Sequence, residues 1–244
     1  MGKQRKNKTS KKNNWFAVLL RFLRNVILAF FGISFFFVLL YKYVNPPLTP
    51  LMVMRFFDQM VDDDKNVRFK RDYVSIDDVS PHLVNAVVAA EDAKFMKHYG
   101  FDFEELKKSY KENSSNKKKR TRGGSTISMQ TAKNVFLTPH RTYVRKAFEA
   151  YFTVLIELTW GKERIMEMYL NVVEFGNGIY GCEAASQYYF GKSAVNLTKS
   201  EAAQLAVTLP SPLKRNPANK TSYFRKRTQV IKKRMIEVDL SHKQ

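Results

Sequence analysis

AVVAAEDAKFMKHYG, residues 86–100, reads as the second half of a helix that opens at Ser80-Pro81. Serine is a favoured cap, proline suits the first helical position, and Gly100 is a good stop. The expected helix therefore covers about 80–99. On it Val84, Val87, Val88, Glu91, Phe95 and His98 recur at helical spacing and share one face. Glu91 stands in the middle of that apolar stripe, and Asp92 lies about 100° further round. A carboxylate flanked by Val and Phe is desolvated, which raises its pKa and suits it to general-base work. On this feature alone, a glutamate at the stripe's edge reaching water explains the residue equally well. His98 reads as a structural histidine rather than a catalyst.

Outward from this segment the pattern stays helical, with further helices expected near 103–112, 125–137, 141–160, 163–171, 182–190, 198–209 and 221–239. No strand-rich block and no internal repeat stands out, so the fold class expected is mainly α. Glu112 to Arg122 (ENSSNKKKRTR) is polar and basic and reads as a mobile loop. The basic residues of the last helix, Arg225 to Arg234, read equally well as a solvated face.

The N-terminal end has a different character. Lys3, Arg5, Lys6, Lys8, Lys11, Lys12, Arg21 and Arg24 fall within residues 1–24, which hold no acid. Asn25 to Tyr41 then runs 17 residues without a charge, roughly 25 Å as a helix and close to the lower limit for crossing a bilayer. Trp15 and Phe16 to Leu20 extend the apolar stretch, and Tyr41, Lys42 and Tyr43 supply an aromatic and snorkelling rim. A cleaved signal peptide fits poorly, because the apolar core is long and no small-x-small site precedes Pro46-Pro47. The organisation expected is a basic arm at 1–24, a transmembrane anchor at 25–44, a juxtamembrane linker at 45–79 and a helical domain at 80–244. By the positive-inside rule the arm is cytoplasmic and the domain lies outside the inner membrane.

Composition agrees with a folded domain on an anchor. Of 244 residues, 44% are hydrophobic and 14% aromatic, too much core-forming material for a disordered chain. The single cysteine, Cys182, excludes an internal disulfide and a thiolate zinc cluster. Net charge is +20, and about +12 remains once the arm is set aside. Nucleic acid, the usual partner of such charge, is excluded by the expected topology. Anionic headgroups or a phosphate-bearing lipid substrate fit it better.

Two short motifs carry little. Gly176, Gly178 and Gly181 have dinucleotide-site spacing, but no hydrophobic strand leads into them and no βαβ unit surrounds them, so they read as glycines turning the chain. Ser114 and Lys117 form an SxxK inside the basic loop without its usual companions. RTRGGSTISMQTAKN is more informative. Gly123-Gly124 admits a close backbone approach, Ser125 or Thr126 caps the following helix, and Thr126, Gln130 and Lys133 line one of its faces. Free N–H groups, hydroxyls and an ammonium at one helix end make an anion site. Next, Arg141, Arg145 and Glu149 stack at helical spacing, where surface ion pairing accounts for Arg145–Glu149.

The series ED-x-x-F-x-x-H-x-G-x-D, GGST-x-x-x-Q-x-x-KN, RK-x-x-E, KERIMEMYLN and YGCEAASQYYFGK, from about Ser80 to Pro217, resembles the family-51 peptidoglycan glycosyltransferases. The resemblance implies a lysozyme-like helical fold that polymerises lipid II at the outer face of the membrane. The acceptor's 4-hydroxyl attacks the donor's anomeric carbon with inversion and expels undecaprenyl pyrophosphate. Glu91 matches the general base and Glu149 the second essential carboxylate, at the donor side. Ser125, Gln130, Lys133 and Arg141 match residues that hold the donor's phosphates, with Asp92 and Thr126 beside them in the substrate site. The basic loop matches a flap over the cleft. The expected partners are lipid II, the growing lipid-linked glycan, membrane lipids and cell-wall synthesis or division proteins. No cofactor is expected, although Mg or Mn stimulates some relatives and Asp92 with the substrate phosphates is the one candidate seat. Met129-Gln130 stands where the family usually reads two glutamines, and Thr131 where leucine is common. The rival readings are a peptidoglycan-cleaving lytic transglycosylase or hydrolase, which has no need of Lys133 and Arg141, and an inactive lipid II-binding scaffold.

Overall fold

The structure, a computed structural model, describes residues 10–61, 67–115, 123–140 and 142–238. Residues 1–9 of the basic arm, 116–122 of the basic loop with Lys117 of the SxxK, and Arg141 lie outside the described residues. The chain divides into two units, Met1–Val44 and Asn45–Gln244.

The first unit is one helix, α1, Ser10–Tyr43. Its apolar part, Trp15–Tyr43, has 29 residues at a mean hydropathy of 2.2, long and apolar enough to span a membrane. The helix begins well before the expected start at Asn25. Arg21 and Arg24 interrupt hydrophobicity but not helicity, because arginine is a good helix former. Side chains such as Phe22 and Leu28 are exposed at 63% and 61%, as a lipid-facing helix requires.

The second unit is mainly α. Its elements are α2 (Pro50–Val61), β1 (Lys70–Arg71), α3 (Pro81–Glu91), α4 (Phe103–Ser115), α5 (Ile127–Phe136), α6 (Tyr143–Thr159), α7 (Lys162–Val172), β2 (Glu174–Gly176), β3 (Ile179–Tyr180), α8 (Cys182–Phe190), α9 (Lys199–Thr208) and α10 (Ser222–Arg234). In the core α5 packs on α6 and α7, while α3 packs on α9 and α10. Tyr169, Leu170, Phe175 and Tyr180 are fully buried where these layers meet.

Residues 45–79, expected as a linker, belong to this unit. Arg71 donates to the carbonyls of Pro46 and Pro47, Asn171 Nδ2 to Val74 O at 2.9 Å, and the Ile76 N–H to Glu167 Oε2 at 2.8 Å. A small sheet, also unforeseen, has the order β1-β3-β2, with β1 parallel and β2 antiparallel to β3. Strands of two or three residues leave too little alternation to be seen in sequence. The glycines at 176, 178 and 181 do turn the chain here. Gly178 has φ +68°, and a Cβ on it would lie 1.9 Å from Arg68 O.

The principal difference from expectation lies in α3, which ends at Glu91 rather than near 99. Asp92 leaves helical geometry (φ −158°, ψ 77°), and Phe95–Lys97 forms a separate 3₁₀ turn. The cause is tertiary. The buried Asp92 carboxylate accepts the Ile127 N–H at 3.0 Å, capping the positive end of α5, and bonds His98 Nε2 at 3.0 Å. The α4 helix also runs through Glu112 to Ser115, the first four residues of the expected loop.

Two outcomes follow for thermal melting of the detergent-solubilised chain. Asp92→Ala removes the acceptor at the first N–H of α5 and leaves buried donors unpaired, a loss of about 2–4 kcal/mol, or roughly 5–15 °C. Gly178→Ala combines an unfavourable φ with a backbone clash and lowers the melting temperature by a similar roughly 5–15 °C. An unchanged melting temperature in either variant contradicts the corresponding contact.

Candidate active site

The early stop of α3 places Glu91 at its last turn, half-buried. Gln130, one turn into α5, donates from Nε2 to Glu91 Oε2 at 2.8 Å. The Tyr169 hydroxyl donates to Gln130 Oε1 at 3.4 Å, which orients the amide with its NH2 toward the carboxylate. Burial raises the Glu91 pKa. The Gln130 hydrogen bond and the charges of Arg227 and Lys133 oppose the rise without cancelling it. A carboxylate held by one neutral donor and short of water is a competent base near neutral pH.

The second carboxylate is differently surrounded. Thr142 caps α6 by accepting the Arg145 N–H at 3.1 Å, and the helix turns Glu149 inward to 2% exposure. Arg145 and Lys146, four and three residues earlier, both bind its oxygens. Sequence spacing finds Arg145 but reads a surface pair; the structure buries the carboxylate and brings Lys146, the second residue of the RK-x-x-E motif, onto it as well. Lys146 Nζ also lies 3.4 Å from Ser125 Oγ, tying α6 to the segment before α5. Lys133, on α5, faces the same group. Burial lowers its pKa, and Glu149 is the chief charge resisting that.

Beside Glu91, and reached through Gln130, lies a cleft of about 960 Å³. Ser125, Gln130, Lys133, Arg145, Lys146 and Glu149 contribute to its wall, so three cations surround one carboxylate there. Such a cavity attracts a polyanion and stabilises negative charge that develops inside it. Arg55 and Glu174 line the cleft too, and neither carries a signal in the sequence that marks it.

The remaining expected residues are placed differently. Asp92 and Thr126 are buried and engaged inside the protein. The Thr126 hydroxyl donates to Gly100 O at 2.6 Å and accepts the Met129 N–H at 3.2 Å. They join the end of α3 to the start of α5 rather than line the cleft. Arg141 lies outside the described residues. Among the described residues no three His, Cys, Asp or Glu side chains are grouped to hold a metal ion.

A family model described as transglycosylase matches residues 59–236. The chain is 52% identical over 217 residues to a biosynthetic peptidoglycan transglycosylase of Caulobacter vibrioides, covering 87% of this chain and 91% of that one. It is 49% identical over 213 residues to the protein of that description in Bacteroides thetaiotaomicron, with 87% and 85% covered. For the Rhodospirillum centenum counterpart the identity is 44% over 225 residues, with 91% and 94% covered. With the family match spanning most of the second unit and these relatives aligned along most of their own length, the chain belongs to the transglycosylase family, the glycosyltransferases that build peptidoglycan.

Proposed function

We propose that the cleft polymerises lipid II, joining the 4-hydroxyl of one lipid-linked sugar to the anomeric carbon of another with inversion. Glu91 accepts the hydroxyl proton as the oxygen attacks. The bond from the anomeric carbon to the phosphate oxygen breaks on the opposite face, and undecaprenyl pyrophosphate leaves. Lys133, with the cations around Glu149, balances the charge that grows on the departing diphosphate. Ser125 and Gln130 orient the donor, and Glu149 holds Arg145 and Lys146 in place at its side. A divalent cation, where one takes part, is held by the substrate phosphates.

The observation that carries this reading is the hydrogen bond that joins a desolvated carboxylate, Glu91, to Gln130 in the wall of a cationic cleft. A hydrolase needs the first and has no use for the second. The basic arm and the span Trp15–Tyr43 support an anchor with its N-terminus in the cytoplasm and the catalytic unit at the outer face of the inner membrane.

The direct test is a gel assay of the detergent-solubilised chain with labelled lipid II. Wild type yields a ladder, and Glu91→Gln lowers kcat by about 10²–10⁴-fold. Because Glu91 binds its proton more tightly folded than unfolded, its ionisation costs stability as pH rises through that range. Glu91→Gln therefore melts no lower than wild type at pH 7. A ladder of normal intensity from the variant removes the base assignment.

The rate against pH is bell-shaped and narrower than ordinary carboxylate and lysine values give. Activity falls on the acid side as Glu91 takes up its proton, above the usual glutamate range. It falls on the alkaline side as Lys133 loses its charge, below the usual lysine range. Lys133→Arg moves the alkaline limb upward, and Lys133→Ala reduces kcat by about 10²–10³-fold. Normal polymerisation by Lys133→Ala rejects the phosphate role.

A further inference from the structure

The cleft holds a second ionic group, set apart from the first. Arg55 of α2 and Glu174 of β2 both line it. The charges that act on Glu174 are those of Arg55 and Asp58; none of the cations gathered at Glu149 is among them. One cavity therefore contains two separate charged centres.

The second centre is incompletely satisfied. Arg55 Nε lies 3.4 Å from Glu174 Oε2, and its Nη1 lies 3.6 Å from Oδ2 of the exposed Asp58. Both distances are long, and the buried Nε makes no hydrogen bond. Glu174 is 4% exposed, and its Oε1 is buried with no partner. Buried polar atoms are nearly always paired, so idle atoms on both members of one pair, at the wall of a substrate cleft, mark a place for a polar ligand.

The ligand's chemistry follows from the donor and from where α2 stands. A guanidinium presents a planar fork that matches phosphate oxygens two at a time. Leu51, Met52, Arg55 and Gln59 make up the inward side of α2, and the Gln59 side chain holds it by accepting the Arg68 N–H at 2.9 Å. The outward side carries Val53, Phe57 and Met60, exposed and apolar. This helix follows the apolar span in sequence and resembles one that rests at a lipid surface. Lipid-linked diphosphates lie at that level. Burial pushes the Glu174 pKa up, against the pull of the Arg55 charge.

Resting on the polymerase reading, which brings two lipid-linked diphosphates into one cleft, we propose that Arg55 seats the diphosphate of the acceptor. Glu174 is its positioning residue, and the Lys133 cluster serves the donor. The seat gives the acceptor a register of its own, so its 4-hydroxyl approaches Glu91 while its lipid stays in the membrane.

The test is a single-turnover coupling in neutral detergent, which excludes anionic headgroups as the ligand. The donor is lipid II blocked at its 4-hydroxyl, which cannot accept. The acceptor is an analogue with carbon in place of its anomeric oxygen, which cannot donate. Arg55→Ala is expected to raise KM for the acceptor about tenfold or more, leaving KM for the donor and kcat within about twofold. Arg55→Lys restores most of the affinity, and the melting temperatures of all three proteins agree within a few degrees. An unchanged acceptor KM overturns the proposal, as does a rise in donor KM instead. A loss that follows a lowered melting temperature and is not rescued by lysine makes Arg55 a packing residue and also overturns it. A defect seen only in vesicles of anionic phospholipid assigns Arg55 to headgroups and overturns the substrate assignment. If wild type forms no coupled product, the polymerase reading itself fails, which is distinct from every outcome at Arg55.

Discussion

The site depends on one buried carboxylate that joins two helices. Asp92 accepts the first free N–H of α5 and bonds His98 at the same time. Both partners gain from its charge: the N-terminus of α5 is short of acceptors and carries the positive end of the helix dipole. The chain gives up its helix at that point, so Glu91 ends α3 instead of continuing a regular stripe. Thr126 adds a second tie from the same helix start, to Gly100. Together they fix the separation of α3 and α5, and with it the hydrogen bond from Gln130 to Glu91. Without the clasp, base and anion cleft belong to two helices free to part.

Three carboxylates near the cleft are held in three different electrostatic states. Glu91 has a neutral amide donor and no cation in contact, so burial dominates and its proton affinity rises. Glu149 is buried more deeply and has two cations bound to it, which suits a charge that organises others. Glu174 has one loosely placed arginine and an idle oxygen. Identical carboxyl groups are therefore held differently, according to what desolvation is balanced against.

The parts that local rules govern were legible. The apolar run and its basic flank identified a helix long and apolar enough to span a membrane, whose start alone was misplaced, because a pair of arginines breaks hydrophobicity without breaking helicity. Helical spacing and capping residues located α5 to α9 to within two or three residues. The motif series identified the family outright. Arg145 and Lys146 were visible in the RK-x-x-E motif, yet spacing gave them no more than a surface pairing, because a cation three or four residues before a glutamate looks like any surface pair until the carboxylate is seen to be buried.

The sequence by itself determined the helical class, the long apolar helix near the N-terminus and the family, because these rest on periodicity, composition and residue wording. Only the tertiary structure decided where α3 stops, that the described residues between 45 and 79 pack into the second unit, that a small sheet closes on Gly178, and that Arg55 and Glu174 face the cleft. Each of these turns on a partner far away in the chain: Asp92 with Ile127, Val74 with Asn171, Arg68 with Gly178, Arg55 with Glu174. Such contacts have energies that outweigh local propensity by a kcal/mol or more, and no window of neighbouring residues contains them.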